Sequence, residues 1–121
     1  MKILESAENY LETILVLSRK NGDVRSIDIV NEMNFSKPSV SVAMKHFREN
    51  GYIVMDENGY ITLTEQGMEV AQRVYERHTV LTALLRKLGV SEEIAAQDAC
   101  RMEHDLSEES FQKIKEFTEK L

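Results

Sequence analysis

The fold is decided by residues 26–63, SIDIVNEMNFSKPSVSVAMKHFRENGYIVMDENGYITL. Ser26 reads as the cap of a short helix with Ile27, Ile29, Val30 and Met33 as its apolar positions, and Asn34-Phe35 interrupts the period. Ser36 restarts it. A serine N-cap with Pro38 in the first turn opens a helix carrying Val40, Ala43, Met44 and Phe47, which Gly51 closes. Two stretches rich in β-formers follow, Tyr52-Ile53-Val54-Met55 and Tyr60-Ile61-Thr62-Leu63, and Asn58-Gly59 between them suits a hairpin tip. Two helices joined by a very short turn and followed by a hairpin make a winged helix-turn-helix, whose second helix enters the major groove while the hairpin touches the backbone.

Upstream, Leu4, Ala7, Leu11, Ile14, Leu15 and Ser18 recur at helical spacing and predict an amphipathic helix over about 6–19, closed by Asn21-Gly22. Downstream, Thr64 caps a long helix whose apolar stripe runs through Val70, Val74, His78, Leu81, Leu85 and Leu88 as far as Gly89. Ser91 before Glu92 and Glu93 caps a helix with Ala95, Ala99, Met102 and Leu106. Ser107 before Glu108 and Glu109 caps another with Phe111, Ile114 and Phe117. The expected fold is mainly α: a winged helix-turn-helix DNA-binding domain over 1–63, then a helical dimerisation domain over 64–121.

Composition narrows the function. In 121 residues, 42% are hydrophobic and 30% charged, which describes a folded globular chain and not a disordered one. No apolar run approaches the roughly 20 residues that span a bilayer, and Met1–Tyr10 is too acidic for a secretory signal, so a cytoplasmic protein without a membrane partner is expected. The single cysteine, Cys100, makes no intrachain disulfide, which leaves a core residue, a reactive thiol or a metal ligand. A net charge of -6 excludes indiscriminate coating of nucleic acid but permits a local basic face.

Such a face lies on the helix from Ser36. Lys37, Lys45 and Arg48 stand there against Glu49, His46 accompanies them, and Ser36, Pro38 and Ser39 occupy the end suited to phosphates and base edges. Val42 takes a groove-facing position, where readout must be apolar, as against a thymine methyl. A winged helix used only for protein docking is the alternative reading of the same pattern.

A second constellation is Cys100-Arg101-Met102-Glu103-His104. On a continuous helix, at about 100° per residue, a thiolate, a carboxylate and an imidazole fall in one sector and converge on one ion. Read alone, the cysteine is equally a core residue and the other two surface residues. His78 on its apolar stripe is a satisfied core histidine or a ligand, and Asn9 with Glu12 at i, i+3 are solvated or ligating.

Taken together, Asn9-Tyr10-Leu11-Glu12, Ser36-Lys37-Pro38-Ser39-Val40-Ser41, Arg77-His78, and Asp98-Ala99-Cys100-Arg101-Met102-Glu103-His104 with Leu106-Ser107 resemble the diphtheria toxin repressor family of metal-dependent regulators. The resemblance spans nearly the whole chain. It implies a transcriptional repressor of iron or manganese homeostasis in which a divalent metal, held between the first helix and the dimerisation helices, promotes operator binding. It carries over Asn9, Cys100, Glu103 and His104 as a primary metal site, with His78 and Glu12 in a second or shared one. Cys100, Glu103 and His104 resemble the iron-dependent branch of the family. Glu12 and the end at Leu121, without a third domain, resemble the manganese-dependent branch. Asn9 stands where those branches have methionine or aspartate, and Thr82 and Ala96 stand where the iron branch has ancillary ligands. A thiolate adds soft character, so iron(II) is the expected ion and manganese(II) the second choice.

The expected partners are a double-stranded DNA operator and a second copy of the chain, because a two-headed reader needs recognition helices about 34 Å apart. Leu84, Leu88, Ile94, Phe111, Ile114 and Phe117 are the expected dimer contacts. A metal-independent winged-helix regulator is the rival function. A metal phosphohydrolase is not expected, since there are three histidines and no phosphate loop, so neither enzyme activity nor a small-molecule substrate is assigned.

Overall fold

The computed structural model describes residues 5–121, so the expected apolar position Leu4 lies outside the described residues. Helices α1 (Glu5–Asn21), α2 (Ser26–Met33) and α3 (Lys37–Glu49) precede strands β1 (Ile53–Met55) and β2 (Ile61–Leu63). Helices α4 (Glu65–Lys87), α5 (Glu92–Met102) and α6 (Glu108–Glu119) follow. The protein is mainly α and has the expected winged helix-turn-helix order. Its chain divides into two compact units between Gln72 and Arg73, within α4.

In the first unit, Leu11, Ile14 and Leu15 of α1, Ile29 of α2, and Val40, Met44 and Phe47 of α3 form one core with Ile53, Ile61, Val70 and Ala71. Local chemistry fixes the joints. Gly22, at φ 86°, ends α1 with its N–H on Ser18 O at 3.0 Å. Asn34 adopts the left-handed conformation that turns α2 into α3, and Ser36 Oγ caps α3 by accepting the Ser39 N–H at 3.2 Å. Ser26 is not the cap of α2. That position belongs to Arg25, whose backbone N–H donates to the Asp28 carboxylate at 2.8 Å, so Ser26 is the first helical residue. In the hairpin, Ile53 pairs with Leu63 and Met55 with Ile61, while Asp56 Oδ1 accepts the Asn58 and Tyr60 N–H groups at 2.9 Å each. The Ile61 N–H also donates to Val24 O at 2.7 Å, an attachment of the α1–α2 linker to the hairpin that no sequence pattern announced. Thr64 Oγ1 caps α4 by accepting the Gly67 N–H at 3.1 Å.

In the second unit, Val74 and Leu81 of α4, Ala95 and Ala99 of α5 and Phe111 of α6 are buried. Ser107 caps α6 by accepting the Ser110 N–H at 3.1 Å. Two expectations are corrected. The helix expected to include Leu106 ends at Met102; the Asp105 N–H reaches back only to Met102 O, at 3.2 Å, and Ser107 is already extended as the cap of α6. Phe111, expected at a dimer surface, is 3% exposed and packs beneath the Arg77 guanidinium, 5.1 Å from ring centroid to Cζ.

Candidate metal centre and nucleic-acid interface

The early end of α5 splits the Cys100-x-x-Glu103-His104 segment. Cys100 lies half-buried on the last turn of the helix, Glu103 is its C-cap, and His104 sits in the following turn. The three are therefore not on one continuous helix, as the spacing suggested. What the turn creates is more specific. The Glu103 side chain is fully buried, with Oε2 3.0 Å from His78 Nδ1 and Oε1 3.4 Å from His104 Nε2. The second approach lacks hydrogen-bonding geometry, and Oε1 has no hydrogen-bond partner. The imidazole of His78 and the carboxylate of Glu103 are thus hydrogen-bonded through Nδ1 and Oε2.

A buried carboxylate oxygen without a hydrogen bond is costly, and two imidazole nitrogens lie within 3.4 Å of this carboxylate. Carboxylate and imidazole are donor types that suit a divalent transition ion. Asn9 and Glu12 are half-buried, one turn apart on α1 in the first unit. Thr82, one turn after His78, has a buried hydroxyl with no hydrogen-bond partner.

Sequence reasoning gave Arg77 no role beyond accompanying His78. The side chain is buried and spans three partners: Nη1 donates to Glu103 O at 3.2 Å and Leu106 O at 2.6 Å, and Nη2 to Glu108 Oε2 at 3.1 Å. Its signal was available as an arginine on a helix that buries Val74 and Leu81. Glu108 answers it: hydrogen bonds from Gln112 and then from Arg77 hold this carboxyl below the usual carboxylate range.

In the first unit, α3 turns Val40, Met44 and Phe47 inward and leaves Ser36, Lys37, Pro38, Ser39, Val42, Lys45, His46 and Arg48 exposed. Its outer face is cationic apart from Glu49, as expected. The Ser36 hydroxyl is committed to the cap and donates to Ser39 Oγ at 2.8 Å, so the Ser39 hydroxyl retains its own proton for an external acceptor. Val42 is 70% exposed, a bare aliphatic group in the middle of this face.

A winged unit with a cationic helix, and a helical unit with a buried carboxylate between imidazoles, define the class of a metal-responsive DNA-binding protein. Comparison with known proteins agrees over both units. Residues 2–61 match the iron dependent repressor N-terminal DNA binding domain, and residues 64–121 match the iron dependent repressor metal binding and dimerisation domain. The transcriptional regulator MntR of Escherichia coli O6:H1 is 37% identical over 96% of this chain and 75% of its own length. The structure of T. acidophilum IdeR is 28% identical, with a TM-score of 0.76 over 97% of this chain. That of the manganese regulator SloR, at 23% identity, shares the fold with a TM-score of 0.80 over 98% of this chain. The chain spans about half the length of these two solved structures, 55% in each case. The chain belongs to the diphtheria toxin repressor family of metal-dependent transcriptional regulators.

Proposed function

We propose that this protein is a homodimeric repressor of iron or manganese homeostasis genes, brought to its operator by a divalent transition-metal ion. The observation that carries the metal half is the buried Glu103 carboxylate with an unpartnered oxygen beside two histidines. In this reading Asn9, Cys100, Glu103 and His104 form the primary site, and His78 with Glu12 a second or shared one. The bound ion supplies positive charge that satisfies these donors together. Because Asn9 and Glu12 belong to α1, their engagement favours one arrangement of the DNA-binding domain, residues 1–63, over the others that the metal-free chain samples. Lys37, Lys45 and Arg48 then meet phosphates, while Pro38, Ser39 and Val42 meet base edges.

Iron(II) is the ion proposed, on the softness that the Cys100 thiolate adds to the set. Manganese(II) is the second reading, favoured by the likeness in fold to the manganese regulator SloR. The test is selection of an operator from random duplexes, followed by binding titrations with each metal, iron(II) being handled without oxygen. Metal should raise operator affinity in the parent, and His104→Ala should remove that response. Lys37→Ala and Lys45→Ala should each weaken binding to all sequences and reduce the salt slope by about 1. Operator binding unaffected by chelation would establish the metal-independent regulator instead.

A further inference from the structure

We infer that Arg77 is a positioning residue for the metal centre, holding the main chain of the turn that presents Glu103 and His104. Three observations converge on it. Nη1 donates to the carbonyls of Glu103 and Leu106, the two ends of the turn, and Nη2 reaches Glu108 in the first turn of α6. The carbonyls at the end of α5 have no further helical turn to accept from, and Arg77 supplies the missing donor to that of Glu103 and a second to Leu106 O beyond it. The neighbouring residue on α4, His78, meets the Glu103 carboxylate at 3.0 Å. Consecutive residues of one helix thus grip Glu103 by its backbone and by its side chain.

Stability alone is a poor reason for this arginine. Its Nε is buried with no hydrogen-bond partner, a loss that an apolar side chain of similar length avoids. What the guanidinium fork does, and an apolar group or a lysine cannot, is hold two carbonyls and a carboxylate from two rigidly linked nitrogens. With the turn already ordered, ion binding does not have to order it.

This inference rests on the proposed metal reading, and the two fail differently. Arg77→Met, Arg77→Lys and Glu108→Gln would be compared with the parent by calorimetric titration of the metal-free protein with manganese(II) and cobalt(II), alongside thermal melts. Both Arg77 variants should bind each ion at least about tenfold more weakly, the usual effect of losing support behind a ligand. Glu108→Gln, which releases only Nη2, should fall between them and the parent. Lysine should not rescue, since it restores charge without the fork. A lowered melting temperature with parental metal affinity would make Arg77 merely structural and overturn the inference. A parent that binds neither ion overturns the metal reading itself. If neither Arg77 variant folds, side-chain nitrogen NMR of the metal-free parent decides. Guanidinium protons protected from exchange are expected, and unprotected ones show that no clamp precedes the ion.

Discussion

Glu103 is sealed from water with one oxygen unanswered, a condition that costs on the order of 1–3 kcal/mol for a buried polar group and more for a charged one. Glu103→Gln removes the charge at nearly constant volume and supplies an amide N–H that can face an imidazole. The metal-free variant should therefore melt at the parental temperature or a few degrees above it, while its stabilisation by added metal disappears; both are read from melts with and without ion. A metal-free variant that melts well below the parent would mean that the carboxylate is satisfied without an ion. Cys100 poses the complementary question of selectivity. Cys100→Glu replaces a soft ligand by a hard one and should raise the response to manganese(II) relative to iron(II), whereas Cys100→Ala should weaken both in operator titrations. Identical metal preference in the parent and both variants would remove Cys100 from the site.

Among the elements, the crossing of α4 over the hairpin depends on one missing atom. A Cβ on Gly67 would collide with the backbone carbonyl of Tyr52 and crowd Leu63 Cδ2 at 3.2 Å. Gly67→Ala should cost the first unit about 2–3 kcal/mol, seen as a lower denaturant midpoint, and a midpoint equal to the parent's would mean that the helix shifts freely. At the start of α6, Glu108 titrates below its ordinary range, so its contribution to stability is present above that range and is lost as pH falls through the lowered value. Glu108→Gln should melt below the parent at neutral pH, and the gap should close in acid. Much at this scale was legible because the signals are local: Ser36 caps α3 from three residues away, and Asn58-Gly59 turns a hairpin on itself. The end of α5 was not, because the periodicity of Ala95, Ala99, Met102 and Leu106 continues through a break imposed from α4. Arg77, 26 residues before Glu103, takes the carbonyl that a longer helix would have used. Residue types at helical spacing identified Glu103 and His104 as candidates, but only the break gives them their mutual geometry.

For the whole molecule, the -6 charge and the cationic face of α3 together favour selective over general binding to DNA. The second unit leaves Leu88 69%, Ile94 46% and Phe117 57% exposed, and these aliphatic and aromatic groups are the proposed subunit contact now that Phe111 is accounted for inside. Sedimentation should give a dimer at micromolar concentration, and Leu88→Glu with Phe117→Glu should give monomers that remain helical. A parent that sediments as a monomer with and without metal removes the dimer. The oxygen of Glu103 that lacks a hydrogen bond reaches further than operator occupancy. With an ion bound there as proposed, the folded population of the second unit rises with free metal, so starvation leaves more chains transiently open to proteases. Metal status is then written into the lifetime of the regulator as well as its place on DNA, and a cell short of the ion is left with fewer copies to silence its genes.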